Sequence, residues 1–357
     1  MIWQYSYINR LLDLNYNCLS DALNDNGLID SKLKFIPDIL FKFYSPTDQN
    51  LLDIREKRIW LPSPTVFNDP FECSIGFNMD EYIKSVIIKF ALREQKKKCP
   101  VATLTFTRED LYQIYNSYTK EPAKAISQKK SFSLCLMQIL QQKDVSFQNC
   151  ITHMISKRKD AAINFLNSIK LYSYRIACFS ADWNFGGVCN KLLLWAHYTQ
   201  SHQGFCVEYD ISELQKRNNE HVEKNILYSQ LILGLFPVSY NNKRVQISKT
   251  IVERHYLDKI DSSDEKTIQR ICFRSILSKS LSWNYEKEWR LIVDNKTAKY
   301  YNNRISFPFI KAIYIGCNAS EKLIRNLSEI GKDLNVKVYR MHMSVDDYSL
   351  YYTPIYQ

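Results

Sequence analysis

The apolar positions of this chain change period several times, and each change marks an element. Residues 40–44 alternate as Leu-Phe-Lys-Phe-Tyr, the two-residue period of a strand. Residues 45–57 read as a short capped helix, with Ser45 or Thr47 as the cap. A second strand is expected at 58–62. The next stretch, Ser63-Pro-Thr-Val-Phe-Asn-Asp-Pro-Phe-Glu-Cys73, sets two prolines around Asn68 and Asp69, which predicts a rigid loop. From 79 to 98 the period becomes helical, with Ile83, Val86, Ile87, Phe90 and Ala91 on one face. Another helix begins at Thr107, and residues 124–170 read as mostly helical with a break at 145–150.

A short buried strand is expected at 175–180 and a loop at 181–190. The centre of the chain follows, at residues 191–210. Its apolar start, Leu192 to Ala196, fits a helix or a buried segment, and its end from Gly204 reads as a strand. His197 and His202 fall in the polar connection, a place where sites commonly form. Beyond it come a helix at 211–223, a strand at 236–240 and helix over 249–280, broken at 261–264. A strand follows at 288–293, then an apolar strand in the second half of 305–316. A helix at 320–334 and a strand at 336–341 complete the pattern. Strands mixed with helices, at both hairpin and crossover spacings, predict an α+β fold. Its core is a mixed, largely antiparallel sheet, with a sizeable helical insert at about 80–170. Residues 1–38 read as an N-terminal appendage, 39–345 as the main domain and 346–357 as a C-terminal tail.

Composition narrows the function classes. At 357 residues and 45% hydrophobic, the chain has material for a large core. Only 8 glycines argue against a glycine-dense nucleotide-binding framework. The net charge of +11 favours an anionic partner, such as nucleic acid or a nucleotide. Basic runs such as 96–98 and 157–159 also fit solvated helix faces. The 10 cysteines show no CxxC pair and no zinc spacing, so no metal site is expected. Scattered free thiols fit a reducing, cytoplasmic compartment. There is no basic, apolar leader, and the apolar run 231–238 is too short to span a bilayer, so no membrane insertion is expected.

Several residues carry candidate chemistry. Glu286 and Glu288 share a face if they lie on a strand. A carboxylate there could stabilise positive charge developing on a substrate. The plainer alternative is a charged strand edge, with Lys287 and Arg290 satisfying the acids. His197 could hold a phosphate or ribose, act as acid or base near neutral pH, or make a core-edge hydrogen bond. Tyr198 offers a ring for stacking and a hydroxyl. His202 shares a helical face with Tyr198 only if the helix persists. Asn68 and Asp69 could bond a sugar or their own backbone. Arg290 could bind a diphosphate or pair with Glu288. Trp195 and Trp289 fit packing.

Four stretches, in order, resemble the DUF2971 family, a bacterial family named for unknown function. The first is 40–44 with Trp60-Leu-Pro-Ser-Pro-Thr-Val-Phe-Asn-Asp-Pro-Phe-Glu72. The second is Ala177-Cys-Phe-Ser180. The third is Leu194-Trp-Ala-His-Tyr-Thr-Gln-Ser-His-Gln-Gly-Phe-Cys-Val-Glu-Tyr-Asp210. The fourth is Tyr285-Glu-Lys-Glu-Trp-Arg-Leu291 followed by Ile310-Lys-Ala-Ile-Tyr-Ile-Gly316. More distantly, 288–293 and 308–313 look like the last strand pair of ADP-ribosyltransferase folds, and Glu286 with Glu288 is similar to the Glu-x-Glu pair of some of those enzymes. Where that fold carries an early-strand Arg or His, this chain has Lys42 and Tyr44, its ligand-binding candidates on the first strand.

That second likeness implies NAD as the cofactor. Glu288 would then stabilise the oxocarbenium-like centre, Glu286 would position the acceptor, and His197 with Tyr198 would hold the nicotinamide side. The activity expected is NAD-dependent ADP-ribosyl transfer or NAD glycohydrolysis in a bacterial toxin or defence setting, with a nucleic acid or protein as acceptor. Two other classes stay open. One is a nucleic-acid-binding or nucleolytic module, and the other is a non-catalytic ligand-sensing or structural domain.

Overall fold

The computed structural model of the chain describes residues 2–13, 32–95, 106–116, 132–171, 174–181, 187–212 and 231–355. The chain divides into two compact units. The first comprises residues 1–74, 170–245 and 272–357, and the second comprises 75–169 and 246–271.

Among the described residues, the strands all belong to the first unit. In chain order they are β1 Ile39–Tyr44, β2 Arg58–Trp60, β3 Tyr174–Ala181, β4 Phe205–Asp210, β5 Leu235–Pro237 and β6 Ser239–Asn241, then β7 Ser278–Ser280, β8 Glu288–Asp294, β9 Arg304–Ser306, β10 Ile310–Ile315, β11 Lys337–Met343 and β12 Leu350–Pro354. Eight of them form one sheet in the order β12-β11-β10-β4-β1-β3-β8-β5. Every neighbouring pair is antiparallel except β10 with β11. A parallel pair needs a crossover, and the helix Glu321–Leu334 supplies it. Ser320 caps that helix by accepting from the Leu323 amide, and Leu323, Leu327 and Ile330 are buried, as their spacing predicts. These residues join Leu40, Val207, Leu291 and Ile313 in the main core. The expected mixed α+β fold with a largely antiparallel sheet is therefore present.

Two expected elements divide where the sequence read them as continuous. The strand at 236–240 splits at Val238, whose N–H bonds the Glu288 carbonyl at 2.9 Å. Its halves pair in different sheets, β5 with β8 and β6 with β7. The helix expected to reach 280 ends at Ile276, and 278–280 becomes β7. In the stretch 305–316 the apolar second half forms β10 as expected, after a break around Pro308, which has no N–H for a ladder. The segment read as a tail carries the edge strand β12.

The N-terminal segment contributes a helix, Ile2–Asp13, whose Tyr7 ring meets Phe236 at 5.6 Å. Most of the expected helix at 211–223 lies outside the described residues, as do the turn signal Asn24-Asp-Asn-Gly27 and most of 99–106, which reads as a strand or connector.

The second unit is built from helices: Met79–Gln95, Arg108–Asn116, Phe132–Gln141, most of Val145–Leu171, Lys249–Tyr256 and the greater part of Ser262–Ile276. Its core includes Ile83, Val86, Ile87 and Ala91, the predicted face. The expected break at 145–150 falls just earlier, where Asp144 Oδ1 accepts from the Phe147 amide at 2.9 Å and starts a new helix.

Candidate functional site

The site grows from a split in the main sheet. Strands β1 and β3 pair at Leu40–Ala181 and Phe41–Ser180. Past Phe41 the ladder is replaced by a side chain: Lys42 Nζ donates to the Cys178 carbonyl at 3.1 Å. The parted strands line a cavity of about 470 Å³, together with residues of the 60–72 loop, the helix Leu192–Tyr198 and the 279–288 segment. That volume is in the range of small-molecule sites. The turn after the helix is held close to β1. A Cβ on Gly204 would come within 2.0 Å of the Tyr44 carbonyl oxygen, so only glycine fits there.

One wall of the cavity is a buried ion cluster. Lys279 Nζ donates to Glu286 Oε2 at 2.5 Å and Glu288 Oε2 at 3.0 Å, and forms an ion pair with Glu72 Oε1 at 3.0 Å. Arg290 is fully buried behind it. Its Nε and Nη2 reach Glu288 at 2.7 and 3.2 Å, and Nη2 also reaches Glu72 Oε2 at 2.5 Å. Its Nη1 donates to the Ile276 carbonyl at 2.5 Å and to Cys73 Sγ at 3.6 Å. The Tyr198 hydroxyl donates to Glu286 Oε1 at 2.7 Å. When all are ionised, three carboxylates face two cations, which leaves one negative charge in excess.

That imbalance separates the two neighbouring glutamates. Burial and then the Glu288 charge push Glu286 up to about 7, against the opposing effects of Lys279 and Tyr198. Burial also pushes Glu288 upward, but the charges of Arg290 and Lys279 reverse this and hold it well below the usual carboxylate range. For Lys279, burial works downward and the carboxylates outweigh it, so its affinity for the proton is raised. Burial and the Glu286 charge raise the Tyr198 hydroxyl. Among the described residues, no group of three or more His, Cys, Asp or Glu side chains is arranged to hold a metal ion.

The two glutamates do not both lie on a strand. Glu286 ends the short helical turn Leu281–Glu286, and Glu288 opens β8. Between them Lys287 takes the left-handed conformation, φ 48°. The turn is tied to β3 because Ser180 Oγ donates to the Glu286 carbonyl at 2.5 Å and the Ala181 amide donates to that of Lys287 at 3.0 Å. From below, the Tyr240 hydroxyl accepts from the Glu288 amide at 2.7 Å. A left-handed lysine costs about 1 kcal/mol relative to glycine. Lys287→Gly is therefore expected to match or exceed wild-type stability in chemical denaturation, whereas Lys287→Val loses about 1–2 kcal/mol.

The proline-flanked loop forms the opposite lip. Ser63 caps a short turn, Pro64–Val66, by accepting from the Thr65 amide. Asp69 Oδ1 accepts from the Phe71 amide at 2.8 Å, a local backbone bond, while Oδ2 accepts from the Trp283 indole N–H at 2.9 Å. The Trp283 ring is further fixed by Lys279 Nζ, 4.8 Å from its centroid, and by an edge contact with His197 at 6.0 Å.

The structure brings most of the expected site residues together. Lys42, Tyr44, Asn68, Asp69, His197, Tyr198, Glu286 and Glu288 all line the cavity. Tyr44 is also tied to the core through its hydroxyl, 2.8 Å from that of Tyr209. Arg290 lies behind the wall and pairs with Glu288. His202 lies outside the lining. It packs on Trp195 with rings 6.2 Å apart, and burial lowers its proton affinity. The expected role of Lys287 as a partner for the acids is taken by Lys279; Lys287 Nζ reaches Asn284 Oδ1 at 3.3 Å instead. Sequence reasoning missed Lys279, Glu72 and Trp283. Lys279 was concealed inside an apparent helix. Glu72 sits four residues beyond Asn68, at the end of the same loop.

Fold and site together define an α+β protein whose split sheet opens a largely apolar cavity with a charged wall. One stretch of the chain is similar to the family whose resemblance its sequence carries: the model of DUF2971, described as a protein of unknown function, matches residues 194–291. The matched stretch contains His197, Tyr198, Lys279, Glu286, Glu288 and Arg290, while Lys42, Asn68, Asp69 and Glu72 lie before it. No curated protein and no solved structure matches the chain. Among the described residues, no helix is long and apolar enough to cross a membrane.

Proposed function

We propose that the cavity binds NAD and breaks its nicotinamide–ribose bond, passing the ADP-ribosyl group to water or to a nucleophile on a nucleic acid or protein. The observation that carries this reading is convergence. His197, Tyr198, Glu286 and Glu288 come from a helix, a turn and a strand and line one cavity with Lys42 and Asn68.

The chemistry needs little covalent participation from the protein. When the bond from nicotinamide nitrogen to ribose C1′ breaks, its electron pair goes to the ring, which leaves neutral. Positive charge is left on the ribose and is stabilised by a nearby carboxylate. The incoming hydroxyl then bonds to C1′ and gives its proton to a base. Glu286 suits that base because its proton affinity lies near neutral pH. Glu288 is held by Arg290 and Lys279, so it acts by fixing the charge of the wall. Glu286 thus keeps the acceptor side implied by the resemblance, while Glu288 acts on the ribose charge only through the wall. Tyr198 supplies a ring for the nicotinamide, and Lys42, with one hydrogen bond to Cys178, faces the phosphates.

Calorimetric titration of NAD into the full chain tests the binding half. Tyr198→Ala is expected to weaken affinity at least about 10-fold, through loss of stacking. Absence of NAD binding, or affinity unchanged in the variant, would overturn the reading. The salt-bridged state of Glu288 favours one second reading, a ligand-sensing domain. Tight NAD binding with no cleavage would select it.

A further inference from the structure

The wall's second cation holds Glu288 together with Arg290 and also reaches Glu286. Lys279 is 5% exposed and reaches carboxylates from three separate segments: Glu72 of the loop, Glu286 of the turn and Glu288 of β8. Arg290, the other cation, touches Glu72 and Glu288, with no bond to Glu286. Glu286 thus depends on Lys279 for its direct positive partner, with the Tyr198 hydroxyl on its other oxygen.

We propose that Lys279 is a positioning residue whose single ammonium decides whether Glu286 presents a charged or a neutral carboxyl group to the bound ligand. The inference rests on the NAD-cleaving reading for its consequence in turnover, and on the cluster geometry alone for its effect on Glu286.

The groups around Glu286 make the direction definite. Glu288 and Glu72 repel its charge. Tyr198 donates to it, while Tyr240 and Tyr285 are neutral at physiological pH. Arg290 is spent on Glu288 and Glu72. Removing Lys279 leaves three carboxylates with one cation, so the proton on Glu286 becomes harder to remove. An opposite charge at this distance is worth about 1–3 pH units of proton affinity. In the wild type Glu286 ionises near 7. The folded state therefore binds its proton more tightly than the unfolded chain, and Glu286's contribution to stability falls as pH rises from 4.5 to about 7.

Two readouts on the full chain test this. The first is stability against pH, from urea unfolding of wild type, Glu286→Gln, Lys279→Met and Lys279→Arg. Relative to Glu286→Gln, in which the opposing slope of His202 is unchanged, wild type should lose stability across that window. In Lys279→Met the decline should run at least about one pH unit further, and in Lys279→Arg it should stay near the wild-type window. The second is the pH profile of nicotinamide release. Its acidic limb should move up by the same amount in Lys279→Met, with kcat falling and KM nearly unchanged at neutral pH. If Lys279→Met does not fold, Lys279→Arg decides: a shift like that expected for methionine would overturn the role of charge. An unshifted stability window in Lys279→Met would also overturn the proposal. No nicotinamide release from wild type, with the window shifted as expected, would overturn the NAD reading and leave the role of Lys279 standing.

Discussion

Arg290→Met is expected to destabilise the protein by about 3–5 kcal/mol, the largest loss of any single change in the cluster. The side chain is wholly buried, and its donors serve Glu288, Glu72, the Ile276 carbonyl and Cys73. Methionine fills similar space but leaves Glu288 and Glu72 with Lys279 alone. Burying an unpaired charge costs more than the pair contributes, so the loss exceeds what hydrogen-bond counting suggests. Arg290→Lys keeps the charge but loses the planar fork, and should recover only part of the stability. Urea unfolding at pH 7 measures all three proteins. A loss below about 1 kcal/mol for methionine would show that Glu288 is not held as described.

Glu286→Gln should do the opposite: little harm to folding and a large loss of turnover. Glutamine keeps an oxygen for Tyr198 or Lys279 and removes the excess negative charge, leaving two carboxylates with two cations. Stability at pH 7 should therefore hold or rise. Nicotinamide release should fall about 100- to 10,000-fold, because the variant lacks the base. Glu288→Gln should lose both, since the buried Arg290 guanidinium loses one of its two anionic partners and keeps only Glu72. The contrast separates a residue that works on the ligand from one that holds the wall. It is read from release rates and unfolding curves on the same samples.

The strands and the long helices were legible because their apolar periods are clean. Residues 40–44, 205–210 and 288–293 alternate or run apolar, and each is a strand of the main sheet. The site was legible in part for the same reason. Glu286, Glu288, His197 and Tyr198 stand next to those clean elements. The cluster's hub was not legible. Ser278-Lys-Ser280 is too short to show a period of its own and follows a helix without a break signal. Its side chain is drawn inward by carboxylates that only the folded chain assembles. The split between β1 and β3 was equally hidden, because an interrupted ladder leaves no mark on a strand's own sequence. His202 misled for a related reason. Residues 200–202 all take left-handed backbone, which turns His202 toward Trp195 and away from the cavity.

Nicotinamide release from NAD by the full wild-type chain, at pH 8 and with DNA, RNA or cell lysate offered as acceptors, tests the central claim most directly. The account predicts steady release that is lost in Glu286→Gln while that variant stays folded. Intact NAD under every condition, or equal release by the variant, would contradict it.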